Sequence, residues 1–242
     1  MEEMPEPLID DFDDYEEDQT SNLDDEERKI KNFMKDLPSA VSFQRPDSED
    51  HLWLSWSEPT FPPCSVWTTN QRIITGNIKS ALLHFHHNYY EKVLIQFWAP
   101  ITTETGCVQL VTSDQPFGLT YDVDERLLKY RKQCLQYKFN VDGEQIEHIG
   151  IPGRVFHQKW HEWIPHVQYY STKDYPLRDI ALACDILSCS SFPVFQTSFQ
   201  DCVGVLEFAA TSDYDLCCMC HCFLKDELKV CSTPNLYLYS SN

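Results

Sequence analysis

Ile149 to Tyr175 reads IGIPGRVFHQKWHEWIPHVQYYSTKDY, and this stretch decides the fold. Gly150 and Gly153 give the turn backbone freedom, and Pro152 fixes φ at a helix entry, so a short helix is predicted over 154–160. Pro165 ends that helix early, and an extended aromatic segment follows over 163–170. Residues 177–186 (LRDIALACDI) read as a helix with Ile180, Ala181, Ala183 and Cys184 inward. Two apolar strands come next, 191–195 ending in Pro193-Val194-Phe195, and 202–209 carrying Val-Gly-Val-Leu-Glu up to Glu207.

Upstream, Thr75 is a plausible N-cap for a helix to Asn88, with Ile78, Ala81, Leu82 and Phe85 on one apolar stripe. Residues 93–98 (VLIQFW) form a buried strand stopped by Pro100, and 107–112 (CVQLVT) a second strand joined to it as a hairpin. Residues 125–139 read as a helix, and 143–150 as a polar connection. No internal repeat is present.

Charge is distributed unevenly along the 242 residues. The formal net charge is −19, and residues 2–27 hold fourteen Asp and Glu with no Lys or Arg. Such a leader, with Leu8, Ile9, Phe12, Tyr15 and Leu23 interspersed, has too little apolar surface to offset chain entropy and is expected to be disordered. Its composition fits either an activation segment or a solvating tail. Pro38, Pro46, Pro59, Pro62 and Pro63 keep the following stretch irregular, and Trp53, Trp56 and Trp67 offer points for docking on a domain surface. An acidic chain with no run of five Lys or Arg is a poor binder of nucleic acid, since phosphate contacts supply most of that affinity. No apolar run approaches the ~18 residues of a membrane span. The N-terminus lacks a secretory pattern, so the eleven cysteines are read as reduced thiols.

Several clusters invite a chemical role. His157, His161, Glu162 and His166 superficially resemble a zinc-protease helix, but Gln158 stands where that motif needs its general base. Cys217 to Cys222 is rich in soft ligands, yet only Cys231 follows as a further ligand, so no metal site is expected. No nucleophile elbow, phosphate loop or dinucleotide fingerprint is present, a meeting of Cys134 with His148 is not legible in sequence, and an enzyme is not expected. Arg154, at a helix start, could hold an anion together with His157, Trp163 and Tyr169, or could instead pair with Glu147 or Glu162 on the surface.

Six separated pieces, in order, carry a family likeness: 93–100 (VLIQFWAP), 115–117 (QPF), Tyr130-Arg131 with 139–144 (FNVDGE), 152–159 (PGRVFHQK) with 162–175, 193–195 (PVF), and 202–207 (CVGVLE). Over about 75–212 the chain resembles the N-terminal regulatory region of plant NIN-like transcription factors. The resemblance implies an α+β, GAF-like fold: a central antiparallel sheet flanked by helices, after a disordered acidic leader. It makes Gly150, Pro152, Gly153, Pro193, Gly204 and Glu207 structural residues of the family motifs. It also implies nitrate- and nitrogen-responsive regulation of transcription in the nucleus, with cytoplasmic shuttling allowed. Family members carry an Arg-x-x-Ser kinase motif where this chain has Arg131 and Cys134, so that phosphorylation is not available here. The family's basic RWP-RK DNA-binding domain and C-terminal interaction domain do not occur in this sequence, and its last segment does not align.

The sequence therefore divides into a leader and Pro/Trp-rich linker (1–67), a GAF-like domain (68–212) and a divergent Cys-rich tail (213–242). The expectation is a non-enzymatic regulatory module without cofactor or metal, acting through protein partners, with a small anion such as nitrate as a candidate ligand and with neither DNA nor membrane bound directly. A stand-alone anion sensor and a Cys-rich metal-binding protein are the alternatives.

Overall fold

The computed structural model describes residues 13–37, 41–45, 52–57, 69–83, 92–120, 123–142, 149–196, 201–212 and 236–238. Its centre is β3 (Val93–Thr102). The run VLIQFW has no polar–apolar alternation because both faces of this strand are covered, and residues 93–99 are all buried. β9 (Asp201–Ala210) lies on one side of it and β5 (Phe117–Thr120) on the other. With β1 (Val41–Gln44), β2 (Leu52–Ser57), β8 (Ser188–Gln196) and β10 (Leu236–Leu238), the sheet runs β1-β2-β5-β3-β9-β8-β10. β7 (Glu162–Ile164) pairs with the start of β8, while β4 (Val108–Val111) and β6 (Phe139–Asn140) extend the far end of β3. Every pairing among the described residues is antiparallel, as expected.

The two faces bury two separate apolar clusters. On one face Leu94 and Trp98 of β3, Phe117 and Leu119 of β5 and Val205 and Ala209 of β9 meet three helices that follow β3 in sequence. These are α3 (Glu125–Cys134), α4 (Gly150–Gln158) and α5 (Arg178–Ala183). On the other, Ile95, Phe97, Leu206 and Phe208 pack with Ile78 and Leu82 of α2 (Thr69–Leu83). The α+β class with a central antiparallel sheet between helices therefore stands.

The structure differs from the sequence reading mainly at the N-terminal side. Residues 1–12 of the expected disordered leader lie outside the described residues, but Asp13–Lys35 form a 23-residue helix, α1. Its Leu23, Phe33 and Met34 pack on the first cluster, and Ile30 is buried in it. β1 and β2 likewise take up part of the linker, as an antiparallel pair that widens the sheet at β5. Trp53 accounts for this: its indole is buried, and its Nε1 donates to the buried Glu26 carboxylate at 2.7 Å. Asp25–Lys29 and Glu27–Lys31 pairs support the helix along its exposed side.

Smaller departures have local causes. α2 begins six residues before Thr75, and its expected end at Asn88 lies outside the described residues. β3 runs through Pro100 because β9 pairs only as far as Trp98, which leaves one edge free of ladder bonds where proline is tolerated. Pro193 sits inside β8 for a related reason: β7 pairs with residues 189–191 and β10 with 194–196, so the proline falls between the two outer partners. α3 stops at Cys134, and Phe139 enters β6 instead of ending the helix. On α5, Ala181 and Cys184 are buried as expected, whereas Ala183 is exposed. The segment expected to be extended after α4 holds β7 and a 3-10 turn, Val167–Tyr169.

Gly150 opens α4 with φ +65, a left-handed conformation that glycine adopts freely. A β-carbon there would come within 2.6 Å of the Phe139 ring. Gly150→Ala is therefore expected to cost about 1–3 kcal/mol. The check is a urea titration at constant m-value; an unmoved midpoint would mean that neither the turn nor the ring contact matters.

Candidate functional site

A polar residue inside an apolar strand must find hydrogen-bond partners or lose stability. β3 and β9 each contain one, Gln96 and Glu207, and the register sets them opposite each other. Both are completely buried. Gln96 Nε2 donates to Glu207 Oε2 at 2.8 Å, and Trp98 Nε1 donates to the same oxygen at 2.6 Å. Tyr130 OH donates to Oε1 at 3.3 Å.

α3 supplies the opposing charge. Its N-cap, Asp124, accepts from the Arg126 backbone N–H at 2.8 Å and from Thr211 Oγ1 at 3.2 Å, which ties the helix start to the end of β9. Leu127, Leu128, Tyr130, Arg131 and Cys134 then face inward. Arg131 Nη1 donates to Gln96 Oε1 at 2.9 Å and to Thr112 Oγ1; its Nη2 donates to the carbonyls of Thr112 (2.8 Å) and Gln115 (3.3 Å). The guanidinium carbon stands 4.5 Å over the Phe117 ring. Gln96 thus bridges Arg131 and Glu207, accepting from the cation and donating to the anion.

The hydroxyl directions follow from Glu207. An ionised carboxylate only accepts, so Tyr130 donates to it, Tyr175 donates to Tyr130 at 2.8 Å, and the Cys189 thiol donates to Tyr175 at 3.5 Å. Burial pushes the Glu207 carboxyl up from its ordinary value, against the pull of Trp98, Gln96, Tyr130 and the Arg131 charge. Burial also lowers Arg131 to about 10 and raises both tyrosines. It raises the Cys134 and Cys189 thiols as well. Thiols held in this state are poor nucleophiles and poor metal ligands. Arg131 Nε, Gln115 Nε2 and Ser191 Oγ are buried without a hydrogen-bond partner. The arrangement is a closed, charge-balanced network that fixes α3 to the sheet.

The four residues read as a ligand site are not brought together. Arg154 Nε and Nη2 donate to Glu162, the former at 3.0 Å, and Nη1 donates to the Asp174 carbonyl; Glu162 is one of the two carboxylates read as its pairing partners. His157 Nε2 lies 2.5 Å from the Val141 carbonyl. Trp163 is exposed on β7, and Tyr169 is 76% exposed, edge-on to His166. Among the described residues no bond or ring contact joins any two of the four. His161 stacks on Phe192, with ring centroids 5.5 Å apart. Among the described residues no group of three His, Cys, Asp or Glu could hold a metal; Cys217, Cys220 and Cys231, like Glu147 and His148, lie outside them. No helix among the described residues is long and apolar enough to cross a membrane.

The motif residues take structural places. Pro152 and Gly153 are buried in the first turn of α4, where a proline's missing N–H costs nothing. Gly204 lies where a β-carbon would come within 2.6 Å of the Trp98 carbonyl oxygen and closer still to the Phe97 ring. Glu207 anchors the network. Sequence reasoning placed Tyr130 and Arg131 only in a family motif and gave no structural role to them or to Gln96, Trp98 or Tyr175; the available signal was a lone Gln and a lone Glu, each inside an apolar strand.

Removing one partner of a buried pair strands the other charge, so Arg131→Met is expected to cost about 3–5 kcal/mol. The double variant with Glu207→Gln should cost less than the sum of the two single changes, read from denaturant midpoints. Strict additivity would show that the bridge through Gln96 carries no coupling. The pH dependence has a defined sign. A raised carboxyl binds its proton more tightly when folded, so the Glu207 contribution is largest in acid and declines as pH rises above its unfolded value of 4.5. The stability of the parent chain minus that of Glu207→Gln should fall over that window, and a rising difference would contradict the assignment.

Comparison with known proteins gives the sequence a family context. No family model matches the chain. It is 40% identical over 146 residues to Protein NLP7 of Arabidopsis thaliana, covering 60% of this chain and 15% of that protein. It is 38% identical over 145 residues to Protein NLP3 of Oryza sativa subsp. japonica, with the same two coverages. It is 41% identical over 140 residues to Protein NLP6 of Arabidopsis thaliana, covering 57% and 16%. The matched stretch thus spans about 15% of the length of these relatives. The GAF domain region of a Geobacter sulfurreducens PCA protein is 12% identical, with a TM-score of 0.35, over 66% of this chain and 93% of that one. Some three-fifths of this chain is therefore homologous to the plant NIN-like proteins.

Proposed function

We propose that this chain is a non-enzymatic regulatory part of a NIN-like transcription factor, acting in nitrate- and nitrogen-responsive control of transcription. The observation that carries this reading is the sequence shared with the NIN-like relatives over 140–146 residues. Support comes from the closed Arg131–Gln96–Glu207 network, which fixes α3 to the sheet, so that an opened packing would be a discrete second state. An effector that favours the second state would move α3 relative to the sheet. With a formal net charge of −19, the chain leaves DNA contact to other domains and works through protein partners. Its site of action is the nucleus, with passage through the cytoplasm.

Two measurements test this reading. Fused to a heterologous DNA-binding domain in plant cells, the chain should change reporter output as nitrate is supplied; a reporter indifferent to the fusion at every nitrate level would overturn it. Thermal unfolding in nitrate against chloride at equal ionic strength separates direct sensing from action through partners. Nitrate at 100 times its Kd would add about 2.7 kcal/mol, a rise of roughly 5–10 °C for a domain of this size. An unmoved transition alongside a responsive reporter would assign nitrate sensing to another component.

A further inference from the structure

The acidic helix α1 occupies a defined seat. Ile30 is buried and Phe33 meets Phe117 edge-on, centroid to centroid 6.1 Å, while Leu23 and Met34 pack on the same cluster. Phe43 and Trp53 of the β1–β2 pair line the groove, with their rings 6.2 Å apart. The rim is basic where the helix is acidic. Lys132 of α3 pairs with Asp36 at 2.7 Å, and Arg45 lies 3.6 Å from Asp24 and 3.3 Å from Glu27. The floor is therefore apolar and aromatic, and the rim carries charge opposite to the occupant.

We propose that this groove is an intramolecular docking site for an acidic amphipathic helix, that α1 is its exchangeable occupant, and that docking is coupled to the buried charge network through Phe117. Three observations support exchange. The rim pairs are solvent-exposed, so salt screens them. The Asp25–Lys29 and Glu27–Lys31 pairs lie within the helix and persist when it leaves, so α1 keeps helical character when undocked. Its seat also relies on few contacts for a 23-residue helix: Leu23, Ile30, Phe33 and Met34, and the one Glu26–Trp53 hydrogen bond.

Coupling follows from one shared ring. Phe117 receives Phe33 edge-on and has the Arg131 guanidinium over it. Any shift of Arg131 that opens the network moves the ring on which α1 rests. Once released, α1 offers Leu23, Ile30, Phe33 and Met34 beside its carboxylates, a surface that fits a protein partner with an apolar groove and a basic rim. That partner and the domain compete for the same four side chains.

Hydrogen exchange on the whole chain tests the docking. Amides of α1 should exchange faster than those of β3, and faster again at high salt, because α1 opens without global unfolding. Phe33→Ala should speed α1 exchange roughly tenfold while leaving β3 unchanged. A labelled peptide of residues 13–37 should bind the Phe33→Ala chain more tightly than the parent, whose own α1 fills the groove. The conservative Arg131→Lys keeps the charge but loses the guanidinium face; it should speed α1 exchange more than that of α5. Exchange of α1 only at the rate of β3, or a peptide that binds neither chain, would overturn the docking site. Equal exchange of α1 and α5 in Arg131→Lys would overturn the coupling.

Discussion

The amide of Gln96 stands between two buried charges that have no direct bond to each other. Its Nε2 serves Glu207 and its Oε1 serves Arg131. Neither charge could remain in this interior alone, because transfer of an isolated ion out of water costs far more than a domain's net stability. With the bridge in place, the central strand, β9 and α3 are held in one relative position. The remaining polar contacts follow from it: Trp98 and Tyr130 complete the coordination of Glu207, and Thr112 and Gln115 complete that of Arg131.

This arrangement is a poor bargain for stability alone. A well-packed apolar set of equal volume is often as stable as a buried ion pair, or more so. What the network adds is directionality. An apolar α3 could slide on the sheet with little loss, whereas Arg131 accepts one position, that of the Gln96 amide and the Thr112 and Gln115 carbonyls. Arg131 Nε, Gln115 Nε2 and Ser191 Oγ, buried without partners, add local cost.

β3, β4, β8 and β9 were legible in the sequence as largely apolar runs; Gln96 and Glu207 are the only polar side chains in VLIQFW and VGVLE, but nothing there marked them as partners. What the sequence concealed was depth. Arg131 sits among Lys129, Lys132 and Gln133, in a helix whose composition is that of a surface, and only its register turns it inward. The helix within the N-terminal part was hidden for the converse reason. Fourteen acidic residues dominate the composition of 2–27, while docking of α1 depends on a few apolar positions and on Glu26, a carboxylate that is buried because an indole 27 residues away donates to it. Arg154 drew attention as a cation at a helix start, but a carboxylate eight residues on was near enough to occupy it.

The energies of the two layers fit a switch better than a rigid scaffold. Moving a two-state equilibrium from 1:99 to 99:1 takes about 5.5 kcal/mol of differential binding. Removing one partner from a buried pair costs a similar amount, about 3–5 kcal/mol, so an effector that replaced part of the network's hydrogen bonding would act on the same scale. α1 rests on Phe117, next to the guanidinium, and its exposed ion pairs add little of their own. A change of a few kcal/mol in the interior therefore need not be carried across the fold by any long path. It reaches the acidic helix through one aromatic ring, Phe117, which Phe33 meets edge-on.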